Sequence, residues 1–215
     1  MKAAEDAGNN HYSPLMKDPI TMEEVKDTFH RNKGAHGTDR VTASLLDRAD
    51  RETTKKVLNR IWNLAWKVGS FPAAWKLEHR AIFQKGSDID SHQENGYRTV
   101  SLKSIIGKRF ESITSKRLFA IMEGLGFDPN QYAYLTNRSS TGAAMIVAEQ
   151  IKRGLMNNSD SGVIFFDFSD AFGGVNRKNL LLKINKDFGI TGKVFLHLHD
   201  FLSNRHTRIK VGDIT

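Results

Sequence analysis

The chain reads as a mixed α/β protein in which helices outnumber strands, and three features predict this. Apolar residues recur at helical spacing in several long segments. Strand-like runs are few and short. One of them, residues 162–168, is so rich in β-branched and aromatic residues that it reads as a strand buried on both faces. Asp167 interrupts that run near its end. A buried carboxylate is costly unless it is paired or holds a metal, and α/β folds often place chemistry at the carboxyl end of a buried strand. The alternative is a strand-end aspartate that caps the following helix.

In chain order, residues 1–19 are polar and aperiodic and read as a flexible lead-in. Thr21 and Glu24 have the spacing of a capping box, ahead of a helix with Val25 and Phe29 on one face. A polar loop over 33–39 and a short helical turn over 44–49 follow. Residues 53–68 form an amphipathic helix closed by Gly69, with Val57, Leu58, Ile61, Leu64, Ala65 and Val68 as the inner stripe and Trp62 and Trp66 flanking it. Imperfect alternation predicts a strand at 77–84, followed by a polar loop over 85–96. A long helix at 102–123 carries Ile105, Ile106, Phe110, Ile113, Leu118 and Ile121 inside and a dense Lys/Arg set outside. Further helices are expected at 142–156, 178–188 and 192–202, and a half-exposed strand at 207–211, where Arg208 and Lys210 alternate with Ile209 and Val211.

The 215 residues suffice for one sizeable core or two small lobes. Absence of cysteine excludes disulfides, thiol catalysis and cysteine-based zinc sites. No apolar run reaches membrane-spanning length and no signal peptide is visible, which fits an intracellular setting in cytoplasm or nucleus. The net charge of +8 leans towards a polyanionic partner, because neutralising phosphates and releasing counterions drives such binding. His197 and His199 stand two apart, share no helix face and read as surface or boundary residues rather than metal ligands.

Lys85, Arg98 and the loop Arg138-Ser139-Ser140-Thr141 place basic and hydroxyl groups in predicted loops, while Asp167 sits at a strand end. That set suits phosphate binding beside a metal-ligating carboxylate. The order of short motifs is more specific. From about residue 33 to 212 the chain resembles the reverse transcriptases of non-LTR (LINE-type) retrotransposons. Lys33 and Gly37-Thr38-Asp39-Arg40-Val41 are similar to their K…GPDGI segment, and Phe71-Pro72-Ala73-Ala74-Trp75-Lys76 to FPxxWK. Gly96-Tyr97-Arg98-Thr99-Val100-Ser101-Leu102 is similar to NYRPISL, and Gly107-Lys108-Arg109-Phe110-Glu111 to GKxFE. Gln131 to Thr141 resembles QxGFRxxRST, and Phe166 to Phe172 resembles the first palm motif, FxDFxxAF. Leu202-Ser203-Asn204-Arg205 with Val211-Gly212 resembles LSxR…VxVG.

The resemblance implies the helix-rich fingers and incomplete palm of a right-hand polymerase, ending before the Ala-Asp-Asp hairpin, with fingers over 20–157 and partial palm over 158–215. It implies two-metal nucleotidyl transfer in the complete protein, with Mg2+ or Mn2+ as cofactor and Asp167 as catalytic metal ligand. The implied partners are an RNA template, a DNA primer, deoxynucleoside triphosphates and the remaining palm and thumb. Phe172 falls at the sugar gate, Asp170 lines the pocket beneath the sugar, Arg98 grips the triphosphate beside Lys85, and Arg138, Ser139 and Thr141 contact the template or primer backbone. Ordinary packing is the alternative for Phe172, and a surface ion pair for Arg98. The chain departs from the family at Gly173, where an acid is usual, at Thr99, Thr38 and Arg40, which replace Pro, Pro and Gly, and at Leu135, where Arg is favoured. With one carboxylate of the set, the chain alone is expected to be inactive. A non-catalytic nucleic-acid-binding remnant is the second reading; a viral RNA-dependent RNA polymerase fragment is the third, disfavoured by Phe172.

Overall fold

The computed structural model describes residues 18–29, 35–49, 51–86, 96–168 and 171–210. Most of the lead-in, Lys33 of the first motif, much of the 85–96 loop, Asp170 and the Val211-Gly212 pair lie outside them. The elements are α1 Met22–Thr28, α2 Ala43–Arg48, α3 Arg51–Val68, α4 Ala73–Lys76, β1 Leu77–Gln84, β2 Tyr97–Leu102, α5 Ile105–Leu125, α6 Ser140–Met156, α7 Arg177–Lys186, α8 Gly192–Leu202 and β3 His206–Lys210. They divide into two units, Met1–Ile121 with Arg177–Thr215, and Met122–Asn176. The mixed α/β class therefore stands, with a small three-stranded sheet among many helices.

In the first unit the predicted capping box forms: Thr21 Oγ1 accepts from the Glu24 amide at 3.2 Å, and Glu24 Oε2 accepts from the Thr21 amide at 2.8 Å. The core gathers Val25 of α1, Leu58, Trp62, Ala65 and Trp66 of α3, Phe71, Phe110 and Ile113 of α5, and Ile190 and Val194 at α8. Trp62 and Phe71 both stack on Phe110, with centroids 6.3 and 5.8 Å apart. The two tryptophans thus form the centre of the α3 stripe and not its flanks. Val57, Ile61, Leu64 and Val68, expected inside, are exposed. The helix has two apolar faces, and the face carrying the indoles removes the larger area from water.

Three further expectations need correction. The dense Lys/Arg set of α5 is not all outside: Arg109 and Arg117 are buried. Arg117 bonds both oxygens of Glu24 at 2.7 Å and donates to the main-chain oxygens of Asp18 and Pro19, so its charge is matched on every side. No strand is predicted between the loop expected to end at residue 96 and the helix expected to start at 102, yet residues 97–102 form strand β2 and α5 begins only at Ile105. His197 is buried in the core beside Trp66, Phe71 and Phe110, not on the surface.

The sheet order is β2-β1-β3, with β1 antiparallel to β2 and parallel to β3. Glu78, on the central strand, accepts hydrogen bonds from Ser101 Oγ of β2 at 3.0 Å and Thr207 Oγ1 of β3 at 3.1 Å, and pairs with Arg80 at 3.1 Å. Burial raises its pKa, but these hydrogen bonds outweigh that and hold it below the usual carboxylate range. One carboxylate therefore ties all three strands together.

The second unit contains α6, whose N-cap is Ser139 and none of whose residues is buried. Residues 162–168, predicted as a strand buried on both faces, form no strand here, and Ile164, Phe165, Phe166 and Phe168 are 78–85% exposed. A β-rich composition becomes a strand only when a ladder partner and a covering face exist. Among the described residues this run has neither.

Candidate nucleic-acid interface

The motif segments of the first unit are brought together by close backbone approaches at two glycines. A Cβ on Gly37 would lie 2.4 Å from the Ser104 amide nitrogen, so the Gly37–Val41 segment rests directly on the main chain that opens α5. A Cβ on Gly107 would lie 2.8 Å from Trp75 Cβ, which seats α5 against the Phe71–Lys76 segment. That segment is in turn held by Asp200 of α8. Asp200 accepts from Lys76 Nζ at 2.6 Å, the Phe71 amide at 2.6 Å and Ser70 Oγ at 3.2 Å. Burial raises its pKa, and those donors more than offset this, so it stays ionised below the usual range.

Arg98 projects from β2 opposite Phe83 of β1. It is exposed, and among the described residues it has no hydrogen-bond or ion-pair partner, so the surface ion pair weighed as its alternative does not form there. Alternation along the strands puts His79, Phe83, Arg98 and Arg208 on one face, with Arg208 of β3 directly beside His79. Arg208 was not singled out from the sequence, although its alternation with Ile209 marked it. Lys85 is exposed at the end of β1, its amide bonded to the Gly96 carbonyl at 2.8 Å. Basic heads beside an exposed aromatic are the composition of a surface that meets nucleic acid.

In the second unit, Arg138 is half-buried and its Nη1 donates to the carbonyls of Asp128, Pro129 and Gln131, while its guanidinium lies 5.6 Å from the Tyr132 ring centre. It therefore clips its own loop. Ser139 is committed to the α6 cap, its Oγ accepting from the Gly142 amide at 3.1 Å. Thr141 is exposed in the first turn of α6. Asp167 is exposed, and Phe172, 80% exposed, meets the Tyr134 ring edge-on at 6.3 Å.

Over 194 residues the chain is 25% identical to "Probable RNA-directed DNA polymerase from transposon X-element" of Drosophila melanogaster. Over 183 residues it is 25% identical to "Retrovirus-related Pol polyprotein from type-1 retrotransposable element R1" of Bradysia coprophila. These matches cover 90% and 82% of this chain. The chain is similar to non-LTR retrotransposon reverse transcriptases. It spans about a fifth of these relatives, 21% and 18% of their lengths. No family model matches the chain.

The divalent cations expected of a reverse transcriptase do not fit the described residues by themselves. Two cations held close together need at least a pair of clustered carboxylates, and among the described residues no three His, Cys, Asp or Glu side chains gather to hold a metal. Asp167 is one carboxylate of such a set. No helix among the described residues is long and apolar enough to cross a membrane.

Proposed function

We infer that this chain is part of the RNA-directed DNA polymerase of a non-LTR retroelement, with fingers over 20–157 and the first part of the palm over 158–215. The observation that carries this is the packing of the reverse-transcriptase-like segments on one another. The Gly37 segment lies on Ser104, the Trp75 segment on Gly107, and Arg98 is exposed on the adjoining strand with no partner among the described residues. Similarity across most of the chain to two retroelement polymerases supports the same reading. On it, the partners are an RNA template, a DNA primer and deoxynucleoside triphosphates. Arg98 and Lys85 meet phosphate, and Arg138 acts by shaping the loop from which Ser139 and Thr141 face the strand. Asp167 supplies one carboxylate to a Mg2+ or Mn2+ site, Phe172 acts as the sugar gate, and Asp170, outside the described residues, serves the pocket beneath the sugar. The other carboxylates, on this reading, come from the four-fifths of the relatives' length that the chain does not span.

A second reading, a nucleic-acid-binding remnant without catalysis, is favoured by the lack of a carboxylate cluster around Asp167 among the described residues. One experiment separates the two. The chain is expressed with whatever its reading frame encodes beyond Thr215, and extension of a DNA primer on an RNA template is measured with Mg2+. Extension that Asp167→Asn abolishes is expected. Extension that survives Asp167→Asn overturns the role of Asp167, and a protein that binds the duplex but never extends it leaves the remnant.

A further inference from the structure

A cavity of about 260 Å³ lies in the first unit among Lys26 and Phe29 of the α1 end, Asp47 of α2, and Arg51 and Lys55 of α3. Three of its five lining residues are cations and one is an anion. Asp47 is itself engaged from behind: the Arg109 guanidinium, 0% exposed, donates through Nη2 to Asp47 Oδ1 at 3.1 Å and lies 4.0 Å from the Phe29 ring centre. The Nε and Nη1 of Arg109 are buried and make no hydrogen bond among the described residues. Desolvation favours loss of its charge, Asp47 only partly offsets this, and the net effect is a lowered pKa. A guanidinium is nonetheless still ionised at neutral pH, so it adds a positive field to the cavity wall at low local dielectric.

The mouth of the cavity is also under-neutralised. Lys55 pairs with Glu52 at 3.1 Å and sits 5.6 Å from the Phe29 ring centre. Arg51 Nε donates to the Asp47 main-chain oxygen at 3.1 Å, which orients its guanidinium and leaves the two Nη groups without a partner among the described residues. Lys26 Nζ makes no hydrogen bond or ion pair among them and meets the Glu52 carboxylate only through its field. Cations converging on a cavity are held against mutual repulsion, and a multiply charged anion relieves that repulsion. The volume lies just under the roughly 300–1,000 Å³ of sites that enclose a drug-sized ligand, so it suits one small anionic group better than a whole nucleotide.

We propose that this cavity is a phosphate-binding site, with Lys26, Arg51 and Lys55 as direct donors and Arg109 as the buried charge behind them. It belongs to the helical layer and uses none of the residues assigned to nucleotide or metal binding. The phosphate has two possible sources, the backbone of a nucleic-acid strand and free phosphate.

The full chain is compared with Lys26→Ala/Arg51→Ala, and with Lys67→Ala as a control on the exposed far end of α3. Thermal melting is followed in inorganic phosphate and in chloride of equal ionic strength, and affinity for labelled single-stranded RNA is measured over a salt series. Phosphate is expected to raise the wild-type melting temperature by about 2–4 °C, a shift kept in the control and lost in the double variant. If a strand supplies the phosphate, the double variant also weakens RNA binding and flattens its salt slope by about 1. An unchanged RNA affinity with a lost phosphate shift assigns the site to free phosphate. Identical behaviour of all three proteins in both assays, or equal losses in variant and control, overturns the proposal. Circular dichroism of the unliganded proteins excludes misfolding as the cause.

Discussion

His197 shows how a single side chain can set the acid limit of this fold. Burial beside Trp66, Phe71 and Phe110 lowers its pKa to about 4 from 6.5, against weaker opposing effects of Ser70 and Asp200. The unfolded chain therefore takes up this proton first. Stability is complete above pH about 6.5 and declines as pH falls towards 4, by about 1.4 kcal/mol per unit. Glu24, Glu78 and Asp200 are held below the usual carboxylate range by their donors, so their contribution is present above the ordinary carboxylate pKa and is lost in turn as pH falls through their lowered values. Urea midpoints at pH 7 and pH 5 should show the wild type losing about 2 kcal/mol more than His197→Phe, and equal losses would refute the buried neutral imidazole. Arg40 carries a different strain. It stands where the related motif has glycine, and its φ of 56° lies in the left-handed region that disfavours a Cβ. Arg40→Gly should raise stability by about 0.5–1 kcal/mol, after the entropy cost of glycine is deducted, as read from a shifted denaturation midpoint at unchanged m-value.

At the scale of elements, α6 is the helix that depends most on local chemistry, since it buries none of its residues and begins on one side-chain cap. Ser139→Ala should therefore cost about 1 kcal/mol, visible as reduced helicity and faster amide exchange at the start of α6. Exchange that stays unchanged would mean the helix is held by something other than its cap. The long helices were legible because a 3.6-residue apolar period survives in α3, α5 and α8. What was not legible depends on partners remote in sequence. Arg117 belongs inside because Glu24, across 93 positions, meets it. Tyr97–Leu102 becomes a strand because β1 offers a ladder, whereas residues 162–168, with the stronger β composition, have no such ladder. Of the candidate site, Arg98, read as a loop residue, is exposed on strand β2. Ser139 and Arg138 proved to be occupied by their own loop, a commitment that composition does not reveal.

For the whole molecule, the net charge of +8 and the basic sheet face predict binding to an RNA–DNA duplex that weakens steeply with salt. Arg98→Glu should weaken it further and flatten the slope. Affinity equal at low and high salt would argue against a phosphate-binding surface altogether. The tie made by Glu78 has another consequence, one of timing. The central strand β1 receives its parallel neighbour β3 from His206–Lys210, so more than a hundred residues must be made after Gln84 before the sheet is complete. At the ribosome that interval is on the order of ten seconds. Until it ends, one edge of β1 stands open beside a carboxylate still missing its Thr207 donor, and a neighbouring nascent chain could pair there. Synthesis rate and chaperone supply should therefore govern how much of this protein is recovered soluble.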